Sequence, residues 1–160
     1  LFENSKIKTI DLESKDYEFQ NSYNREKNYI NFIIQRDEVI KERKNIFFKE
    51  QNSLSLINTN EKYDLIWVDG SHGYPTVCID IINSLKLINN NGLILCDDVF
   101  INKPKNQDGT YSSIATFETI SALKKAKLIN FHLIYKRLEA QNNCDPNKRK
   151  FIAVLNKNFS

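Results

Sequence analysis

The chain has 160 residues, a length that suits one domain with its own core and excludes a multidomain enzyme. Its 41% hydrophobic and 27% charged residues give it enough apolar surface to collapse, which excludes a disordered tail. A net charge of +3 is too small to draw nucleic acid or anionic lipid, so neither class of partner is expected.

In chain order, Ile7 to Leu12 and Asn45 to Lys49 are short β-prone runs and read as strands. Between them, Asn21 to Lys44 is highly charged, but Tyr29, Ile30, Ile33 and Ile34, then Asp37 to Ile40, recur at helical spacing. One broken helix is predicted there. Asp64 to Val68 is apolar after its first residue, which suits a strand covered on both faces, and it runs into Asp69-Gly70-Ser71-His72-Gly73-Tyr74. Pro75 suits a first helical position, and Val77, Cys78, Ile81, Ile82, Leu85 and Ile88 form an apolar stripe that stops at Asn89-Asn90-Asn91-Gly92. Leu93 to Cys96 is a further strand ending in Asp97-Asp98, and Asn102 to Tyr111 is a polar loop. Ser112 or Ser113 caps a helix carrying Ile114, Phe117, Ile120 and Leu123, and two β-prone runs, Ile129 to Tyr135 and Phe151 to Leu155, follow. Trp67, Phe47 and Phe48 read as core.

This order predicts an α/β fold: a Rossmann-like, mostly parallel sheet with helices on both faces and a C-terminal antiparallel strand pair. Cys78, Cys96 and Cys144 are an odd number without C-x-x-C spacing, so neither a disulfide framework nor a thiolate zinc site is expected. No apolar run reaches the ~18 residues of a membrane span, and a reducing, cytoplasmic setting follows by elimination.

In a parallel sheet, ligands sit beyond the carboxyl ends of the strands, where side chains leave the ladder. Asp11, Asn52, Ser53, Asp69, His72, Asp97 and Asp98 all fall there. Three carboxylates on one spot repel unless a cation lies between them, and hard oxygen donors suit magnesium or manganese. Asp69, Asp97 and Asp98 are therefore the candidate metal ligands. His72 is a candidate general base, since imidazole accepts a proton near neutral pH. Asp80 is either its orienting carboxylate or an exposed helix residue.

The stretch from Tyr63 to Val99 resembles the fourth strand, following helix and fifth strand of class I S-adenosylmethionine-dependent methyltransferases. It is most similar to metal-dependent O-methyltransferases with a D-G-x-H-x-Y loop and a D-D pair. The resemblance implies a cofactor, S-adenosylmethionine, with Asp11 on its ribose hydroxyls, Asn52 and Ser53 at its adenine and Asp69 close by. It also implies ligation of a divalent ion by Asp69, Asp97 and Asp98, His72 as the base, and a small hydroxylated acceptor. The family's first strand and glycine-rich loop are not found, since the first glycine is Gly70, and the chain has no Met. The expectation is one methyltransferase-like domain, residues 1–160, forming the C-terminal part of a longer domain whose sheet needs one more central strand. A non-catalytic remnant of the fold, kept as an interaction module, is the alternative. A nicotinamide-dependent dehydrogenase fits less well, because its glycine fingerprint is absent too.

Overall fold

The computed structural model describes residues 4–21, 28–102, 113–136 and 150–159, so most of the expected loop at Asn102 to Tyr111, and Ser112 and Cys144, lie outside the described residues. The chain forms two compact units, Leu1–Leu56 and Ile57–Ser160.

In the first unit, β1 (Ile7–Asp11) is followed by α1 (Tyr17–Asn21), α2 (Tyr29–Lys41) and β2 (Ile46–Glu50). The two strands pair in parallel, Ile7 opposite Ile46 and Asp11 opposite Glu50. Parallel pairing puts both carboxyl ends on the same side of the unit, which is where polar residues gather. Two helices lie here: α1, which the sequence reading does not expect, and α2, which falls within the span Asn21 to Lys44 where a broken helix is expected. The first buries Phe19, whose ring meets Phe32 of α2 edge-on at 5.9 Å between centroids. Arg36 lies over the ring of Phe48 at 4.2 Å and reaches Glu50 at 3.4 Å.

In the second unit, β3 (Tyr63–Val68), α3 (Thr76–Leu87), β4 (Ile88–Val99), α4 (Ala115–Lys125), β5 (Ile129–Tyr135) and β6 (Phe151–Lys157) follow in order. The sheet order is β3-β4-β6-β5, parallel between β3 and β4 and antiparallel across β4, β6 and β5. The mixed α/β fold with a C-terminal antiparallel pair is thus the one the sequence predicts. Val77, Ile81 and Leu85, spaced by four, form the buried face of α3 against Ile94 and Cys96 of β4, Ile120 of α4, and Ala153 and Leu155 of β6. Each such side chain contributes about 1.5–3 kcal/mol by leaving water.

Two local readings change. The Asn89-Asn90-Asn91-Gly92 run is not a break but part of β4, because Ile88 already pairs with Tyr63 and Asn89 Nδ2 donates to Asp64 Oδ1 at 2.7 Å. Gly92 is required by that close approach: a Cβ there would lie 2.9 Å from the Asp64 carbonyl oxygen and 2.7 Å from the Ile88 side chain. The second change concerns burial. Ile66 and Val68 of β3 pack on the core, whereas Leu65 and Trp67, on the opposite face, are 43% and 51% exposed. Phe47 is likewise exposed, so neither it nor Trp67 is core, and Ile82 lies outside the buried stripe of α3. Alternation along a strand divides its side chains between two faces, and only one face of β3 is covered. Among the described residues no helix is long and apolar enough to cross a membrane.

Candidate active site

In the first unit, the carboxyl ends of β1 and β2 bring Asp11 and the Asn52-Ser53 segment to the same side. Asp11 leaves the ladder with its Oδ1 accepting the Leu12 N–H at 2.9 Å, while its carbonyl oxygen accepts the Gln51 N–H at 2.7 Å. Asn52 Oδ1 accepts the Leu54 N–H at 2.9 Å and opens a 3-10 turn, Ser53–Asn58. The Asn52 side chain is thus fixed through its oxygen, and its amide NH2 is the end left to donate to a ligand. This arrangement follows from the chain path: each strand ends at an acidic residue, Asp11 or Glu50, and parallel pairing aligns the two ends.

In the second unit, Asp69, Gly70 and His72 follow β3 directly. Gly70 is held small by Asp80 of α3, whose Oδ2 would lie 3.2 Å from any Cβ placed there. Asp80 is buried, which excludes the exposed reading of it. His72 is only 4% exposed, and its Nε2 has no hydrogen-bond partner in the structure. The carboxylate placed beside Nε2 is that of Asp69, with Oδ1 at 4.0 Å. Burial pushes the His72 pKa below its ordinary value, against the opposing pull of Asp98 and Asp97, so the imidazole is neutral at pH 7. Burial and the neighbouring Asp97 raise the pKa of Asp69. Cys96, beneath this layer, is pushed up to about 12, chiefly by burial and also by Asp80, and is inert as a nucleophile.

Asp97 and Asp98 are adjacent on β4, and in a regular strand their side chains would point to opposite faces. A β-bulge removes that alternation. Cys96 pairs with Ala153 and Val99 with Phe151, so β4 carries one more residue than β6 over this interval, and Asp98 takes φ 49°. Asp is among the few residues that tolerate this left-handed conformation. Both carboxylates consequently reach one ammonium: Lys136 Nζ donates to Asp97 Oδ2 at 2.5 Å and to Asp98 Oδ1 at 2.7 Å. Lys150 Nζ donates to Asp98 Oδ2 at 2.5 Å. The two lysines face each other across the end of the β5–β6 ladder, where the Lys136 N–H donates to the Lys150 carbonyl at 3.1 Å. Burial pushes Asp98 up, but both ammonium groups outweigh it and hold its pKa below the usual range. Burial would lower Lys136, and the hydrogen bonds it donates to Asp97 and Asp98 outweigh it and raise its pKa.

A family model described as a methyltransferase domain matches residues 3–99. The chain belongs to the methyltransferase-domain family. Three solved structures share the fold. An O-methyltransferase from Bacillus cereus in complex with SAH has TM-score 0.60 at 10% identity, covering 94% of this chain and 61% of its own. The O-methyltransferase TomG from Streptomyces achromogenes, involved in tomaymycin synthesis and in complex with SAM, has TM-score 0.60 at 10% identity, covering 95% and 61%. The SAH-bound Podospora anserina methyltransferase PaMTH1 has TM-score 0.59 at 18% identity, covering 96% and 61%. The chain thus spans about six tenths of the length of each. No curated protein sequence matches it.

The residues of this methyltransferase domain fit its two expected ligands unequally. A carboxylate at the end of β1 and an oriented amide after β2 suit a ribose diol and an adenine ring, so Asp11 and Asn52 fit the cofactor. The expected metal ligands do not fit a metal. Among the described residues no group of three or more His, Cys, Asp or Glu side chains is arranged to hold an ion, and three of the four oxygens of Asp97 and Asp98 accept from lysine. Asp97 and Asp98 meet at one cation, and it is the ammonium of Lys136. The two lysines are what the sequence reading missed. Their only local signal is a basic residue at the end of one strand run and another at the start of the next.

Proposed function

We propose that this methyltransferase domain serves an S-adenosylmethionine-dependent O-methyltransferase acting on a small hydroxylated acceptor. His72 carries the reading: a buried, neutral imidazole with an unpartnered Nε2, in the loop after β3, is equipped to take a proton from an acceptor hydroxyl. The cofactor supplies an electrophilic methyl group on a sulfonium. Asp11 holds the ribose hydroxyls through charge-assisted hydrogen bonds, and the Asn52 amide, with Ser53 beside it, meets the adenine. With the cofactor bound, His72 Nε2 would take the hydroxyl proton as the oxygen bonded to the methyl carbon and the carbon–sulfur bond broke to release S-adenosylhomocysteine, and Asp69 would stabilise the resulting imidazolium. No step is assigned to magnesium or manganese, because two of the three carboxylates expected to hold the ion, Asp97 and Asp98, hold ammonium groups. We place the protein in the cytoplasm, in keeping with the free thiols of Cys78 and Cys96, and without nucleic-acid or membrane partners.

The test is transfer of labelled methyl from S-adenosylmethionine to a panel of catechols, phenols and hydroxy acids, alongside calorimetric binding of S-adenosylhomocysteine. The reading requires product-inhibitor binding and transfer to at least one hydroxyl. A folded protein that binds neither cofactor nor product would instead be a non-catalytic interaction module.

A further inference from the structure

We propose that Lys136 is the resident cation of this site: its ammonium, shared by Asp97 and Asp98, occupies the room a divalent ion would take, so the site works without a metal and resists one. The inference rests on the O-methyltransferase reading for its purpose, but the geometry that carries it does not.

Three observations converge. The bulge in β4 and the left-handed backbone at Asp98 turn two consecutive carboxylates onto a single nitrogen, an arrangement a regular strand cannot make. The position of that nitrogen is set by the sheet, because Lys136 and Lys150 are held opposite each other by a main-chain hydrogen bond at the end of the β5–β6 ladder. Lys136 is also well shielded, with 22% of its side chain exposed, and Asp97 and Asp98 are 6% and 15% exposed. A magnesium or manganese ion binds carboxylate oxygen at about 2.0–2.2 Å, and of the four oxygens of Asp97 and Asp98 three already accept from lysine, Asp97 Oδ1 alone being without a partner. Entering beside the ammonium, it would meet a positive charge a few ångströms away in a poorly screened place. Charge balance points the same way: the two ammonium groups already offset most of the charge of Asp69, Asp97 and Asp98, which removes the excess that would draw an ion. Lys136 is therefore a positioning residue. It holds Asp97 and Asp98 together beside His72, and the positive charge in the site is permanent rather than dependent on a bound ion.

The test is a titration of the protein with Mn2+, followed by the electron paramagnetic resonance signal of the free ion, for wild type, Lys136→Met and the double variant Lys136→Met/Asp97→Asn. The wild type should bind Mn2+ no more tightly than about millimolar, the range of weak carboxylate sites. Lys136→Met leaves the carboxylates facing each other without their cation and should bind at least about tenfold tighter. The added Asp97→Asn change should abolish that gain, which a merely structural role for Lys136 would not produce. Micromolar, stoichiometric binding by the wild type overturns the proposal, as does a folded Lys136→Met protein with no gain in affinity. If Lys136→Met does not fold, the wild-type titration decides, with Lys136→Arg as the variant that keeps the charge and should keep the ion out. The titration needs neither acceptor nor cofactor. A protein that excludes Mn2+ as described but never transfers a methyl group would refute the functional reading and leave the lysine assignment standing.

Discussion

Lys136 Nζ lies 2.5 Å from Asp97 Oδ2, a contact between the end of β5 and the bulge in β4 that ties the C-terminal strand pair to the loop side of the parallel strands. The same nitrogen reaches Asp98, and Asp98 in turn holds Lys150. One consequence is a pH dependence with a definite sign. The pKa of Asp98 is depressed in the folded state, so its contribution to stability is present above the ordinary carboxylate value of about 3.9 and is lost as pH falls through the lower folded value. Asp69, whose pKa is raised, acts in the opposite sense: the folded state favours its protonated form, and that advantage is lost as pH rises through its folded value. The stability difference between wild type and Asp98→Asn isolates the first effect. Urea unfolding between pH 6 and pH 2 should show a difference that is constant above about pH 4.5 and shrinks below it. A difference that does not change with pH would mean the ammonium pairs contribute nothing.

The backbone at Asp98 makes a separate prediction. At φ 49° a β-branched residue is strained, whereas Asn is tolerated nearly as well as Asp. Asp98→Asn and Asp98→Val both remove the charge, but Asp98→Val should be less stable than Asp98→Asn by a further ~1–2 kcal/mol. Equal stabilities by chemical denaturation would show that the bulge relaxes when the side chain changes.

In the proposed function Asp11 accepts from the ribose hydroxyls, so Asp11→Ala should weaken S-adenosylmethionine binding by about 1.5–3 kcal/mol while the protein stays folded. Isothermal calorimetry on the variant, with circular dichroism to confirm the fold, reads this directly. Unchanged affinity would remove Asp11 from the cofactor site.

Much of the fold was legible because its strands are short β-prone runs: Ile7 to Leu12, Asp64 to Val68 and Ile129 to Tyr135 match strands to within a residue. The α3 stripe was legible because Val77, Ile81 and Leu85 repeat at the helical period. What was not legible depends on pairing between distant segments. The asparagine run before Gly92 has turn composition, yet Tyr63 on the neighbouring strand recruits Ile88 into the sheet. Trp67 and Phe47 are apolar enough for a core, but a run of apolar residues does not say which face is covered. At the site, a need for a cation among Asp69, Asp97 and Asp98 was legible. The identity of that cation was not, because Lys136 and Lys150 come to it only through the β4-β6-β5 order and a bulge with no sequence signature.

The central claim is that His72 takes the acceptor's proton, and the pH profile of methyl transfer tests it most directly. The His72 pKa is lowered by burial, so the wild-type rate should hold through neutral pH and fall only below about 6.5, as the imidazole takes a proton it must be free to accept. His72→Gln should lower the rate by about 10²–10⁴ at pH 7.5, lose that acidic limb, and bind S-adenosylhomocysteine as the wild type does. A folded His72→Gln protein with wild-type turnover and an unchanged pH profile would contradict the account.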